Sequence, residues 1–205
     1  MTERETVYLV DDNNAVRHAL LLYLESRGFR TLSYAAAEDL LENIDVEDTG
    51  VLVLDLQMKG MSGLELQAEL KSRGVSLPVI FITGHGNVEH SVQALKQGAS
   101  DFIEKPFENE VLLESIESAL QNERSRRERR FVKLALTDKF ERLTPREREV
   151  LTYLVNGTSN KTLAEVLGVS SRTIEVHRSR IMSKMAASSL AELVRMAIML
   201  GIITP

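Results

Sequence analysis

Five short apolar runs alternate with amphipathic stretches in the first 120 residues. Runs of this length are typical of strands buried in a parallel sheet, and the stretches between them carry apolar residues at helical spacing. The repeated strand–helix pattern predicts an α/β fold with a doubly wound sheet of five parallel strands, for which we take the flavodoxin-like order 2-1-3-4-5. The predicted strands are Val7–Val10, Arg30–Tyr34, Val51–Leu54, Val79–Thr83 and Phe102–Ile103.

Helices between these strands are predicted from capping and stop residues. The first stops at Gly28, the fourth begins at Asn87 and ends before Gly98, and the fifth contains residues 111–120. The fifth helix is expected to continue into a charged linker over residues 123–140, with a flexible tether as the alternative. We therefore expect one domain over residues 1–122 and another over residues 141–205.

Charge divides the chain into the same two parts. Residues 1–120 contain nine Lys or Arg against twenty-one Asp or Glu, a net charge of −12, whereas residues 121–205 have a net charge of +7. An acidic half joined to a basic half predicts two tasks, with nucleic acid as the partner of the basic half. The alternative is charge that serves only solubility.

The basic half carries capping signals for four helices. Thr144 and Glu147 form a capping-box pattern around Pro145. Ser159 opens a short helix that ends at Gly168, and Ser170 or Ser171 opens a longer one; Ser189 and Glu192 repeat the capping box. A short helix, a glycine turn and a longer helix predict a small all-α helix-turn-helix domain.

Two absences narrow the function classes. The chain has no cysteine, which excludes disulfides, thiolate metal sites and cysteine nucleophiles. Its longest apolar run, Met196 to Ile203, has eight residues, whereas a membrane span needs about 18. The N-terminus also lacks a signal-peptide pattern. We expect a cytoplasmic protein without a membrane partner.

Polar residues stand where the predicted strands end. Asp11 and Asp12 follow strand one, Asp55 ends strand three, Thr83 ends strand four and Lys105 follows strand five. In a doubly wound sheet these ends share one edge, where ligands bind. The sequence therefore predicts a cluster of three carboxylates with a hydroxyl and a lysine nearby.

This residue set suits phosphoryl chemistry. Clustered carboxylates favour a cation such as Mg²⁺, for which Mn²⁺ can substitute, and an aspartate beside it can form an aspartyl phosphate. Lys105 and Thr83 can bind phosphoryl oxygens. As alternatives, Asp11 or Asp12 caps the first helix, or the chain is an aspartyl-phosphate hydrolase. Gln57 occupies the position of such a hydrolase's general acid, so we do not expect an enzyme that turns over a substrate.

Four motifs carry a family resemblance: VDD at 10–12, LD at 54–55, TG at 83–84 and KPF at 105–107. Together they resemble the receiver domain of two-component response regulators, over residues 4–120. The resemblance implies that Asp55 accepts phosphate from a histidine kinase, with Mg²⁺ held by Asp11, Asp12, Asp55 and the Gln57 carbonyl. It further implies a cis peptide bond before Pro106 and a switch pair, Thr83 and Phe102, the latter without a hydroxyl.

The longer helix of the basic half has two faces. Ile174, Ile181 and Met185, with His177, are predicted to pack on the core. The rest of the helix suits the DNA major groove, with basic side chains for phosphates and Glu175, Val176 and Ser179 for base edges. The alternatives are a solvated helix and an RNA-binding domain. The predicted DNA contacts are Arg172, Glu175, Val176, Arg178, Ser179, Arg180 and Lys184.

Further motifs extend the resemblance: LTPREREVL at 143–151, LAEVLGVSSRTIEVH at 163–177 and SLAELVRMA at 189–197. They resemble the LuxR-type helix-turn-helix, and the whole chain resembles the NarL/FixJ branch of response regulators. This implies a regulator that dimerises when phosphorylated, through a face that includes Val92, Lys96 and Val111. It also implies promoter DNA and RNA polymerase as partners and activation of nitrogen-fixation genes. A receiver that is never phosphorylated and only docks a protein is the alternative.

Overall fold

The computed structural model of the chain describes residues 5–84 and 98–204. Contacts divide the chain into two compact units, Met1–Ser125 and Arg126–Pro205. The predicted fourth helix, together with Val92 and Lys96, lies outside the described residues.

The first unit contains a five-stranded parallel sheet in the order β2-β1-β3-β4-β5, which confirms the predicted fold and strand order. Its strands are β1 Thr6–Val10, β2 Arg30–Tyr34, β3 Gly50–Asp55, β4 Val79–Thr83 and β5 Asp101–Glu104. The described helices of this unit are α1 Asn14–Ser26, α2 Ala37–Asn43, α3 Gly63–Ser72 and the first part of α4 Asn109–Glu141. The predicted fifth helix is thus α4 here.

The sheet is covered on both faces, which is why its central strands β1, β3 and β4 are buried throughout and mostly apolar. Alternate side chains enter two separate cores. One core packs under α2 and α3 and includes Tyr8, Leu52, Leu54 and Phe81. The other packs under α1 and α4 and includes Leu9, Val53, Ile80 and Ile82. This double packing fixes the positions of the strand ends.

Helix α4 runs without a break for 33 residues. Residues 123–140, the predicted linker, lie within it, and so does the boundary between the two units, at Ser125. No helix within residues 5–84 or 98–204 is both long and apolar enough to cross a membrane.

The second unit is helical, with α5 Pro145–Val155, α6 Asn160–Leu167, α7 Ser171–Met185 and α8 Leu190–Leu200 after the end of α4. Its core lies where these helices meet and includes Val150, Leu163, Ile174, Ile181 and Leu193. The helix-turn-helix prediction is confirmed: α6 ends at Gly168 in the left-handed conformation, and α7 follows.

The predicted caps of this unit are present, with one correction. Thr144 and Glu147 form the capping box of α5, and Ser159 and Ser170 cap α6 and α7. Ser189 caps α8 by accepting from the Glu192 amide, but the Glu192 carboxylate binds Ser188 and not Ser189. The prediction of a second capping box was therefore wrong for the Glu192 carboxylate. Ser188 offers that carboxylate both an amide and a hydroxyl donor.

Candidate functional site

Three carboxylates meet at the carboxyl edge of the sheet. Asp11 and Asp12 directly follow β1 and Asp55 ends β3, its neighbour in the sheet. One oxygen from each lies within 4.8 Å of the others. Asp11 and Asp55 are 0% and 7% exposed, whereas Asp12 reaches solvent. The structure thus brings together the three residues that the strand ends predict, two of them buried and Asp12 accessible to solvent.

Lys105 supplies the positive charge of this cluster. Its Nζ donates to Asp11 Oδ2 at 2.8 Å and to Asp55 Oδ2 at 2.7 Å. Its backbone amide donates to the carbonyl of Thr83 at 2.7 Å, which fixes the loop after β5 beside β4. The peptide bond from Lys105 to Pro106 is cis, as the receiver resemblance implies. One lysine therefore joins the ends of β1 and β3 from a third strand.

Burial and ion pairing act in opposite directions on the pKa values of this pair. Burial raises the pKa of Asp55 above its usual value; hydrogen bonds from Lys105 and from the Gln57 amide, at 3.0 Å, lower it without cancelling that rise. Burial lowers the pKa of Lys105, but its bonds to Asp11 and Asp55 outweigh burial and raise it. Lys105 is thus fully charged near neutral pH, and it compensates a carboxylate that is costly to ionise alone.

The helix cap after β1 leaves the aspartates to the cluster. Asn13 caps α1, since its side chain accepts from the amides of Ala15 and Val16. The alternative that Asp11 or Asp12 is the cap is therefore wrong. Asp11 Oδ1 accepts the Asn13 amide at 2.8 Å, and the Arg17 guanidinium donates to the Asp11 carbonyl at 2.6 Å. The contact of Arg17 with Asp11 was not predicted from the sequence, although the place of Arg17 in the first turn of α1 directs its side chain back toward Asp11.

Thr83 and Phe102 lie on neighbouring strands. Thr83 is fully buried at the end of β4. Phe102 on β5 pairs in register with Phe81, two residues before Thr83, and is half-buried against the core under α2 and α3. Because side chains alternate along strands, Thr83, Phe81 and Phe102 share one face of the sheet. Thr83 and Phe102 therefore lie on the same face of the sheet, on neighbouring strands.

Gly63 fixes the backbone of Asp55, through a contact that the pattern of the sequence does not predict. Its amide donates to the Leu56 carbonyl at 3.0 Å, and a Cβ at Gly63 would lie 2.5 Å from the Asp55 carbonyl oxygen and 3.0 Å from the Phe81 ring. The signal in the sequence was a glycine at the first position of a helix that Ser62 caps. Only glycine allows α3 to begin this close to β3.

We expect Gly63→Ala to displace the Asp55 backbone and to lower the free energy of unfolding by about 1–3 kcal/mol, the usual cost of overpacking. Urea unfolding measures the loss. Gly84→Ala is the control, since a Cβ there meets no atom of the described residues within 4 Å. Equal unfolding midpoints for the two variants would contradict the close packing of Gly63 on β3.

Helix α7 presents a polar face to solvent. Ile174, Ile181 and Met185 are buried, and His177 is half-buried, with an Nδ1 that makes no hydrogen bond within the described residues. Arg178 is half-buried. Of the other predicted DNA contacts on this helix, Arg172, Glu175, Val176, Ser179 and Arg180 are exposed. The helix therefore has the expected core face and an accessible face that is polar and basic.

A groove of about 490 Å³ lies beside that face. It is lined by Glu175, Arg178, Ser179 and Met182 of α7 and by Asn160, the first residue of α6. Asn160 was not found from the sequence, because nothing in its local pattern distinguishes it from an ordinary first helical residue. The groove places an amide group of α6 next to three of the predicted DNA contacts.

Lys184 differs from the other predicted DNA contacts. Its Nζ donates to Glu147 Oε2 at 2.7 Å and to the carbonyl of Arg142 at 3.2 Å. The Glu147 side chain is 3% exposed and the Lys184 side chain 35%. Lys184 is thus engaged within the unit, in a contact between residues that lie 37 positions apart in the sequence.

Comparison with known proteins matches both units. The family described as "Response regulator receiver domain" matches residues 7–117, and "Bacterial regulatory proteins, luxR family" matches residues 141–197. The transcriptional regulatory protein FixJ of Azorhizobium caulinodans is 42% identical over 98% of this chain and 96% of its own. The C4-dicarboxylate transport transcriptional regulatory protein DctR of Rhodobacter capsulatus is also 42% identical, over 93% of this chain and 98% of its own.

A solved structure, that of the response regulator StyR, has a TM-score of 0.81 and 42% identity, and the match covers 95% of this chain and 98% of StyR. A receiver domain joined to a LuxR-type DNA-binding domain implies a histidine kinase and DNA as partners. The chain belongs to the response regulators that combine a receiver domain with a LuxR-type helix-turn-helix, a class of transcription regulators and not of enzymes.

Proposed function

We propose that this protein is a transcription activator switched by phosphorylation of Asp55. A histidine kinase supplies the phosphoryl group, the phosphorylated chain dimerises, and the dimer binds promoter DNA. One observation carries the proposal: the chain that holds Lys105 between the buried carboxylates of Asp11 and Asp55 also holds an exposed basic face on α7.

The carboxylate cluster fits a Mg²⁺ site. Mg²⁺ binds through one or two carboxylates and keeps several waters, so a pocket with a solvent-accessible Asp12 and two buried aspartates suits it. Asp11, Asp12 and Asp55 with the Gln57 carbonyl would hold the ion, and Mn²⁺ would substitute. When bound, the ion neutralises charge on phosphoryl oxygens during transfer.

Each residue of the site has a role in the transfer. A carboxylate oxygen of Asp55 forms the new P–O bond while the P–N bond to the kinase histidine breaks. Lys105, already 2.7 Å from Asp55 Oδ2, pairs with a phosphoryl oxygen as the carboxylate charge is lost. The Thr83 hydroxyl donates to another phosphoryl oxygen. Gln57 stands where an aspartyl-phosphate hydrolase has its general acid, and a glutamine side chain cannot act as a general acid.

Movement of Thr83 toward the phosphoryl group is the proposed switch. Phe102 shares its face of the sheet and follows, because removing the Thr83 hydroxyl from its place opens space that the ring can fill. The dimer face next to β5 then changes shape. Val111, 48% exposed on the first turn of α4, belongs to that proposed face, and Val92 and Lys96, outside the described residues, complete it.

The exposed face of α7 is the proposed DNA interface. Arg172, Arg178 and Arg180 bind phosphates, and Glu175, Val176 and Ser179 reach base edges in the major groove. Two such helices in a two-fold dimer match a two-fold promoter site. Lys184 is left out of this interface because Glu147 already holds its charge.

The proposed target class is nitrogen-fixation genes, from the resemblance to FixJ, and the proposed site of action is the cytoplasm, at RNA polymerase. A competing target class is given by the equal identity of 42% to DctR, a regulator named for C4-dicarboxylate transport. Selection of random-sequence duplex DNA on the activated chain identifies the operator and separates the two classes.

Metal removal tests the proposed function. Acetyl phosphate with Mg²⁺ is expected to raise the affinity of the chain for its selected duplex, and EDTA added before acetyl phosphate is expected to prevent the increase, because Lys105 alone does not compensate three carboxylates and an incoming phosphoryl group. Fluorescence anisotropy of the labelled duplex measures the affinity, and Mg²⁺ without acetyl phosphate is the control. An increase that survives EDTA would refute the role of the metal site.

A further inference from the structure

The interaction of Lys184 with Glu147 links two parts of the DNA-binding unit. Lys184 lies in the last turn of α7, and Glu147 lies in the first turn of α5. The same Lys184 Nζ also binds the carbonyl of Arg142, in the segment just before α5. One ammonium group thus joins the end of the predicted DNA-reading helix to the start of the first helix of the helix-turn-helix unit.

The carboxylate of Glu147 depends on this lysine. Glu147 Oε2 accepts from Lys184 at 2.7 Å and from the Thr144 amide at 2.8 Å, while the residue is only 2% exposed. Burial alone raises the pKa of Glu147, but Lys184 and Thr144 outweigh it and lower the pKa, so the carboxylate is ionised. Moving Lys184 to a DNA phosphate would leave a buried charge uncompensated, which is strongly unfavourable.

The pair adds to the apolar packing that holds α7 in place. Ile174, Ile181 and Met185 set the rotation of α7 by burying one side of it. The ion pair adds a short, charge-assisted and directional contact near the end of the helix, between α7 and the start of α5. Glu175 and Ser179, the proposed base contacts, lie on the same helix, so the position of α7 determines where their side chains meet the bases.

We propose that Lys184 is a positioning residue for DNA recognition, acting through Glu147, and not a phosphate contact. The inference rests on the proposed DNA-binding function and deepens it. It separates Lys184 from Arg178, which lines the groove beside α7 and is available to DNA.

Salt dependence distinguishes the two roles. A phosphate contact releases counterions when it forms. Its loss therefore makes the negative slope of log affinity against log salt shallower by about 1. Loss of a positioning residue lowers the affinity for DNA at every salt concentration and leaves the slope of log affinity against log salt unchanged. The measurement uses the full-length chain with Mg²⁺ and beryllofluoride, and the duplex recovered by selection on that activated chain.

Four variants complete the test: Lys184→Met, Glu147→Gln, their double mutant, and Arg178→Met as the phosphate-contact control. Lys184→Met is expected to lower affinity about tenfold at unchanged slope, since it leaves Glu147 buried and charged. The double mutant removes both charges and is expected to recover much of that loss, which also keeps the test valid where Lys184→Met folds poorly. Arg178→Met is expected to lower the slope by about 1.

Two results would overturn the inference. One is a slope lowered in Lys184→Met as in Arg178→Met. The other is a double mutant that binds no better than Lys184→Met, because a lost phosphate contact cannot be restored by neutralising Glu147. Failure of the activated wild-type chain to bind any selected duplex is a separate outcome, which refutes the proposed function and this inference with it.

Discussion

Asp55→Asn is expected to remove the response to acetyl phosphate completely. A carboxamide cannot form the acyl phosphate, because its nitrogen and oxygen are too weakly nucleophilic to replace a carboxylate. The variant should show no covalent phosphate by mass spectrometry, and its affinity for the selected duplex should be the same with and without acetyl phosphate. Because Asn has the same size and its oxygen can still accept the Gln57 amide, the fold is expected to persist.

There is a second reason to expect that Asp55→Asn folds. Burial already raises the pKa of Asp55, so an ionised carboxylate at this position is a cost to the folded state that a neutral amide lacks. The free energy of unfolding of Asp55→Asn should therefore be no lower than that of the wild type. Asp39→Asn, at an exposed aspartate in the first turn of α2, is the matched control and should respond to acetyl phosphate normally. A phosphorylated Asp55→Asn chain would show that the acceptor has been misassigned.

Lys105→Met should damage both stability and phosphoryl transfer. Methionine keeps most of the apolar stem of the side chain but leaves Asp11 and Asp55 buried without a cation, and breaking such a pair costs about 3–5 kcal/mol. Phosphorylation by acetyl phosphate should slow by about 10²-fold, as for loss of one group that stabilises transition-state charge. Urea unfolding and the rate of phosphorylation by mass spectrometry measure the two effects.

The stability loss in Lys105→Met should depend on pH and on Mg²⁺. An aspartate whose pKa is raised in the folded state contributes stability below its unfolded pKa, and that contribution is lost as the pH rises through its folded pKa. Lys105 lowers the pKa of Asp55, so its removal raises that pKa further, and the deficit should grow as Asp55 ionises. Mg²⁺ should reduce the deficit by binding the folded state. Lys71→Met, at an exposed lysine of α3, is the control, and equal losses in the two variants would refute the role of Lys105.

The carboxyl edge of the sheet could be predicted because it follows from local patterns. Each apolar run predicts a strand, and parallel strands end at one edge, so Asp11, Asp55 and Lys105 had to meet there once the strand order was right. The buried run before Asp55 explains its position: the strand carries it to the surface of the core, where Lys105 compensates its charge at 2.7 Å.

Contacts between distant side chains could not be predicted in the same way. Lys184 was predicted to bind DNA because a basic residue in that helix is typical of a phosphate contact, and no local pattern reveals that Glu147 reaches it from another helix. The close approach of Gly63 to Asp55 likewise depends on how α3 packs against β3.

In the proposed mechanism, a phosphoryl group at Asp55 turns a monomer into a dimer. Light scattering of the full-length chain, with Mg²⁺ and with or without beryllofluoride as a mimic of the phosphoryl group, tests it most directly. The predicted mass is 23.0 kDa without beryllofluoride and twice that value with it. The same mass under both conditions, whether of one chain or of two, would contradict a phosphorylation-driven dimer.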